Sequence, residues 1–480
     1  MSLVLGVDSS TQSTKVEIRE LNSGRVVGVG RAPHPPTTPP RSEQDPASWW
    51  SALLDALGQV GDHLPDVVAV AVAGQQHGLV VLDGDGVPMR PAKLWNDTES
   101  APQAAALVAS LGATEWATRC GSVPTASFTI TKLAWLLATA PDIVGGASSV
   151  MLPHDYLTWR LSGARVTDRG DASGTGWWSP VAGDYDRQLL GLLGAGRDLA
   201  PLLPRVAGPT ESVGEVTSVE ARALGLGPNV IVGPGTGDNM AGAAGLGLVP
   251  GDVAVSIGTS GTVYGVSSTP TSDPTGAVAG FADATGRHLP LVCTLNASKV
   301  TDTVGRLLAV EPGELSDLAL QAEPGAGCVT VVPYFDGERT PNLPLATGTI
   351  TGLRSDTGRD QLARAAYEGV VCGLLDGLDA LGAAGVAADG RLFLIGGGAR
   401  AEAYQRAMAD LAGRSIVVPD SDETVATGAC VQAAAVLDQT GLGEVAARWR
   451  LDRGVVVEHD VDVDAAAIRT RYREQAARHG

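Results

Sequence analysis

Residues 3–18 read LVLGVDSSTQSTKVEI and residues 252–266 read DVAVSIGTSGTVYGV. Each is an apolar run of strand length, a turn of hydroxyl-bearing or glycine residues, and a second strand-like run. The two stretches suggest a weak internal duplication of one strand–turn–strand unit. Such turns offer converging backbone N–H groups and hydroxyls to an anion. Two similar domains meeting at a cleft would bring both turns toward one ligand. The boundary is expected between residues 246 and 252, with an N-terminal domain over residues 1–247 and a C-terminal domain over 248–480.

Outward from these units, strand and helix patterns alternate, which favours an α/β architecture. Residues 14–20 and 25–30 continue the first strand into an antiparallel meander. Asp45 and Pro46 open a helix that carries Trp49, Trp50, Leu53, Leu54 and Leu57 at helical spacing. Residues 67–73 form a buried strand emptying into Gly74-Gln75-Gln76-His77-Gly78. Residues 229–232 form another, followed by the loop GPGTGDN and a helix of small residues. Further on, helices are expected at 359–382, 401–412 and 425–438, with a strand at 391–395. Residues after about 445 read as a peripheral appendage.

The formal charge of −19 argues against a nucleic-acid binder, because that activity rests on Lys and Arg neutralising phosphates. The same charge repels a nucleotide at long range, so a nucleotide site needs Mg²⁺, backbone N–H groups and helix N-termini. No apolar run approaches the ~20 residues of a membrane span. The N-terminus runs straight into a strand with no basic leader, so a cytoplasmic protein is expected. The cysteines at 120, 293, 328, 372 and 430 contain no CxxC pair and suggest neither a zinc site nor a disulfide framework.

Transfer of a phosphoryl group needs the phosphates held, Mg²⁺ placed, the acceptor hydroxyl in line and a carboxylate to take its proton. There is no GxxxxGK[ST], which excludes a P-loop. The turns at 7–15 and 256–262 are the candidates for phosphate, and GGGAR at 396–400 follows an apolar run where backbone approaches a nucleotide closely. Asp8 ends a buried strand and suits Mg²⁺ held through water, or else caps a turn. Asp238 is a helix N-cap or a general base. Gln75, Gln76 and His77 leave the C-terminal end of a strand, where α/β proteins bind ligands, and their groups suit neutral sugar hydroxyls. Trp95, Asn96 and Asp97 of LWND could face a polyol. Glu338–Arg339 reads as a hinge or a structural salt bridge.

In order, VDSSTQSTK, SEQDPASWW, AGQQHG, LWND, PHDYLTWRLSG, TDRGDASGTGWW, PGTGDNMAG, SIGTSG, DGERTPN and IGGGAR resemble the FGGY carbohydrate kinases from about residue 3 to 440. GTITGLRSDTGRDQLARAAYE at 348–368 fills a further family signature. The resemblance implies a two-domain actin/hexokinase-like (ribonuclease H-like) ATPase fold with an interdomain cleft. It implies Asp238 as proton acceptor, Asp8 near Mg²⁺ and the phosphates, and Gln76 and His77 on the sugar, with Trp95, Asn96, Asp97 and Asn239 around them. Thr11, Gln12, Ser13, Lys15, Gly258, Thr259 and Ser260 then belong to the phosphates, and Gly396, Gly397, Gly398 and Arg400 to the nucleotide. The expected reaction is ATP-dependent phosphorylation of D-xylulose; the family also allows a homodimer. Three positions depart from the usual pattern: Ser10 replaces a glycine, Gln76 a frequent Met, and Glu99 an Arg. Glu99 keeps ribulose, arabinitol and glycerol open as acceptors. A non-catalytic sugar or nucleotide sensor is the other alternative.

Overall fold

The computed structural model describes residues 2–479. Its contacts divide the chain into two compact units. Unit 1 holds residues 1–249, 268–289 and 423–452, and unit 2 holds 250–267, 290–422 and 453–480. A single cut near 247 therefore leaves out two segments that the chain returns to unit 1.

In unit 1, strands β1 (Leu3–Ser9), β2 (Ser13–Glu20) and β3 (Val26–Pro33) form the expected antiparallel meander. Strand β4 (Val67–Gly74) lies parallel to β1, with Ser9 opposite Gly74. Two-residue strands β5 (Gly214–Glu215) and β6 (Ile231–Val232) complete the order β5-β6-β4-β1-β2-β3. Strand β7 (Thr236–Gly237) also pairs in parallel with the end of β4, Thr236 opposite Ala73.

Strand side chains alternate between faces, and here both faces are covered. Leu3, Leu5 and Val7 join Trp49, Ala52, Leu53 and Leu57 in one buried cluster. Those last four come from helix α1 (Pro46–Gly58), whose cap Asp45 accepts the Ala47 N–H, as its sequence predicts. On the other face, helix α5 (Thr424–Asp438) packs on β1 and β4, and α3 (Asp238–Gly245) packs on α5. Ala73, Ala241 and Ala429 form the small-residue seam there.

Unit 2 repeats the design. Strands β8 (Val253–Ile257) and β9 (Gly261–Gly265) form a hairpin, and β11 (Leu392–Ile395) runs parallel to β8. With β10 (His288–Thr294), β12 (Ile416–Pro419) and β13 (Gly454–Val457) the order is β10-β9-β8-β11-β12-β13. β1, β2 and β4 thus correspond to β8, β9 and β11, so the internal likeness of sequence is also one of topology. Helix α4 (Arg359–Ala383) packs against β9.

The C-terminal segment is not peripheral. β13 pairs with β12, Tyr472 is buried, and the Arg471 guanidinium donates to the Gly325 carbonyl at 3.0 Å. An amphipathic end with few apolar residues looks detachable in sequence, yet one buried tyrosine and one arginine fasten it. Among the described residues no helix is long and apolar enough to cross a membrane.

Candidate active site

Parallel pairing decides what meets in unit 1. β1, β4 and β7 all end at the same edge of the sheet, so the turn after Ser9, the loop after Gly74 and the start of α3 converge there. Asp8 and Asp238 stand at this edge. So do Gln75, Gln76 and His77.

Asp238 is the first residue of α3, and Gly237 takes the cap position. Asp238 Oδ1 accepts the Asn239 backbone N–H at 2.8 Å and the Asn239 side-chain amide at 2.9 Å. The same amide donates to Gln76 Oε1 at 2.9 Å, which ties the carboxylate to the loop after β4. Burial around Asp238, followed by the charge of Asp8, pushes its pKa up to about 7, although the side chain keeps some exposure. A carboxylate held near neutrality suits proton acceptance.

Asp8 is 3% exposed, and its Oδ1 is buried without a hydrogen-bond partner. Its Oδ2 lies 3.7 Å from Lys15 Nζ, which reaches Glu423 at 2.6 Å. Burial raises the Asp8 pKa to about 6 against the lowering effect of Lys15. Glu423, just before α5, has no motif of its own and escapes sequence reading.

His77 adopts φ 66°, sparsely populated for a residue with a Cβ. Its ring stacks on Phe128 at 5.2 Å and meets Phe281 at 5.4 Å. Phe281 comes from the 268–289 segment, which sequence reading placed in the other domain.

Of the remaining predicted contacts, several have other work. The Thr11 hydroxyl accepts the Trp95 indole N–H at 2.9 Å and donates to Gln75 Oε1 at 3.1 Å. It therefore links Trp95 to the sugar-side loop. Asn96 Oδ1 and Ser13 Oγ are buried without partners, and Gln12 is exposed. Asp97 is fully buried and engaged by Ser42 N–H and Lys93 at 2.9 Å each and by Glu99 N–H at 3.1 Å. That leaves it a structural carboxylate, in contrast to the sugar contact expected of LWND. Lys93 also pairs with Glu43 and Glu99, so the unusual Glu99 charge has a partner within the protein, one cation shared among three carboxylates.

In unit 2 the turn Gly258-Thr259-Ser260 and the loop Gly396-Gly397-Gly398 leave the same end of β8 and β11. Gly396 has φ 86°, and a Cβ there would stand 2.7 Å from the Ile257 carbonyl oxygen, so glycine alone fits. Arg400 pairs with Asp422 at 2.7 Å on an exposed rim. Glu338 is fixed in place: its buried carboxylate accepts from Leu295 N–H, the Asn296 amide and its neighbour's N–H.

Behind the unit 1 site lies a buried group whose role the sequence alone does not disclose: His154, Asp155, Asp168 and Asp171. Burial alone would lower the His154 pKa, but the three carboxylates outweigh it and raise it to about 9. Burial raises Asp155 to about 7. Asp8, Asp155, His154 and Asp238 thus each hold a proton at a pH where the unfolded chain has released it. The folded state then binds more protons, and stability falls as pH rises through the folded values. The melting temperature is expected to drop between about pH 6.5 and about pH 9, above the range where His34, lowered by burial to about 4, acts in the opposite sense; circular dichroism reads it. A flat or rising profile would contradict these shifts.

The family models for the FGGY family of carbohydrate kinases match this chain at residues 3–245 (N-terminal domain) and 253–437 (C-terminal domain). The xylulose kinase of Streptomyces rubiginosus is 49% identical over 95% of this chain and 92% of its own length. That of Streptomyces coelicolor is 48% identical over 97% and 94%. Among solved structures, the xylulose kinase from Bifidobacterium adolescentis is 39% identical, covers 99% of both chains and gives a TM-score of 0.85. Plasmodium falciparum glycerol kinase with ADP, at 20% identity and TM-score 0.88, shares the fold. With both domain models matched in order and nearly half of its residues identical to curated relatives, this chain belongs to the FGGY family of carbohydrate kinases.

Proposed function

We propose that this chain transfers the γ-phosphoryl group of ATP to the terminal 5-hydroxyl of D-xylulose, giving D-xylulose 5-phosphate and ADP. The observation that carries the reading is Asp238: a carboxylate with a pKa of about 7, at the edge where three parallel strands end, tied through Asn239 to Gln76. The acceptor is favoured by relatives of 48–49% identity that are xylulose kinases. Glu99, the departure that keeps other polyols in view, has a partner within the protein in Lys93 at 2.5 Å.

In the proposed step the sugar oxygen attacks the γ-phosphorus, the bond to the β-phosphate oxygen breaks, and Asp238 takes the hydroxyl proton. Gln76, with its buried and unpartnered Nε2, and His77 orient the sugar; Trp95, Asn96 and Asn239 border it. Lys15, Ser13 and the 258–260 turn hold phosphate, and Gly396–Gly398 let the nucleotide approach the backbone. Asp8 fits Mg²⁺ bound through water, since its buried Oδ1 lacks a partner. That ion, when bound, neutralises phosphate charge. The five free cysteines and the need for ATP fit the cytoplasm.

A coupled assay of ADP release over D-xylulose, ribulose, arabinitol and glycerol tests the reading. D-xylulose is expected to give the highest kcat/KM, and sugar-independent hydrolysis alone would overturn it. His77→Ala is expected to raise the D-xylulose KM about tenfold, roughly 1.4 kcal/mol of lost sugar binding, with the ATP KM unchanged. A change confined to the melting temperature would assign His77 to packing instead.

A further inference from the structure

His154 is the second residue of helix α2 (Pro153–Ser162) and is fully buried. Its Nδ1 lies 2.8 Å from Asp171 Oδ2, and its Nε2 lies 3.1 Å from Asp155 Oδ1 and 3.7 Å from Asp168 Oδ1. Three buried carboxylates around one ring favour an imidazolium, because unpaired buried charge is strongly unfavourable, and burial with the same crowding raises the pKa values of Asp155 and Asp171. The Asp155 and Asp171 oxygens left without hydrogen bonds mark how far the group relies on that one charge.

Two of the three partners lead to loops of the proposed site. Asp168 caps the short helix Arg169–Ala172 and accepts the Thr236 hydroxyl at 2.7 Å, two residues before Asp238. Asp171 accepts from His154, and Gly174, whose N–H donates to the Asp171 carbonyl at 3.0 Å, lies against the His77 ring, where an added Cβ would stand 2.2 Å from His77 Cε1. The ring itself is wedged between the loops: a Cβ on Gly74 would stand 3.0 Å from His154 Cβ, and one on Gly235 would stand 2.6 Å from His154 Cδ2. Glycine at 235 admits the ring, and glycine at 74 admits the backbone and Cβ that carry it.

We propose that His154 is a positioning residue for phosphoryl transfer, a buried imidazolium that holds the loop of Gln76 and His77 and the loop of Asp238 in register through Asp171 and Asp168. The inference rests on the kinase reading, and it names a residue that touches neither substrate. Asp155, on the same helix turn, accepts the Leu152 N–H at 2.8 Å. The raised pKa of His154 keeps the ring charged across neutral pH. Asp171 in turn bears on Asp238, since its charge contributes to raising that pKa.

The test compares the full chain with His154→Gln and His154→Lys. Glutamine keeps hydrogen bonding without charge, and lysine keeps the charge. With D-xylulose and MgATP, His154→Gln is expected to lose about tenfold or more in kcat and to raise the sugar KM severalfold, with the ATP KM within about twofold. His154→Lys should regain most of kcat and move the alkaline limb, expected near about pH 9 in the parent, to higher pH. Amide hydrogen exchange of residues 75–78 and 234–239 gives a readout independent of activity. It should quicken in the Gln variant and return toward parental rates in the Lys variant. Unchanged exchange in these loops, or unchanged kcat in a folded Gln variant, would overturn the inference. Should the Gln variant not fold, Thr236→Val cuts the Asp168 link without altering charge. It should slow turnover severalfold, and parental kcat there would equally overturn the idea. Absence of sugar-dependent ADP release in the parent would count against the kinase reading alone, since the exchange data judge loop positioning separately.

Discussion

Asp238→Asn is expected to lower kcat by about 10²–10⁴-fold, the usual contribution of a positioned general base, while nucleotide affinity stays within about twofold. The loss corresponds to roughly 3–5 kcal/mol of barrier. Asparagine keeps the shape and still offers an oxygen to the Asn239 N–H, so the start of α3 survives the change. What disappears is the capacity to take the sugar proton. The pH dependence makes the same point from another side. A base must be deprotonated to act, and the pKa of about 7 in the folded chain places the rise of kcat/KM around neutral pH. That limb should vanish in the variant. Stopped-flow ADP release across pH, with nucleotide binding by calorimetry, measures both halves. Near-parental turnover would mean that the proton leaves by another route.

Much of this could be read from local sequence, and the reasons are physical. The β1–β2 and β8–β9 hairpins announce themselves because an apolar run, a hydroxyl turn and a second run are all contiguous. Asp8 and Asp238 stand out because a carboxylate beside a buried strand or a small-residue helix is costly without a purpose. The partners of those carboxylates were not readable. Asn239 meets Gln76 only because a two-residue strand pairs with the end of β4, and two residues carry no periodicity. Asp97 looked like a ligand for a polyol because its neighbour is Trp95 and its true partners, Ser42 and Lys93, are set by folding. The turn around Thr11 points to phosphate, whereas Trp95 and Gln75 claim its hydroxyl. His154 sits in a motif that marks the family but carries no chemistry until Asp168 and Asp171 fold around it. Long-range pairing decides these cases, and a hydroxyl or carboxylate satisfies many partners equally well.

The largest expected loss of stability comes from Gly428→Val, on helix α5. A Cβ at Gly428 would stand 1.8 Å from the Ala241 carbonyl oxygen of α3, with Gly245 of α3 equally close to the Thr424 carbonyl at 2.0 Å. On its other side α5 presses on β1, where a Cβ at Gly6 would meet the Ala426 oxygen at 2.1 Å. The obstacles are backbone atoms, so no side chain can swing aside, and α5 is gripped from both faces. Overpacking of this kind costs typically about 1–3 kcal/mol, and with no direction of relief the upper end, about 3 kcal/mol or more, is expected. The same contact explains why the site is built from glycine and alanine helices. β1 delivers Asp8 and α3 delivers Asp238, and α5 fixes the spacing of the two by lying against both. A folded remnant of Gly428→Val should therefore also lose kcat, because α3 must move to make room. Gly382→Ala in α4 supplies the contrast. No atom lies within 4 Å of the added methyl, so only helix propensity acts and stability should rise, by up to about 1 kcal/mol. Thermal melts of the two variants side by side decide the matter: equal melting temperatures would mean that α3 and α5 are not held as closely as the small residues allow.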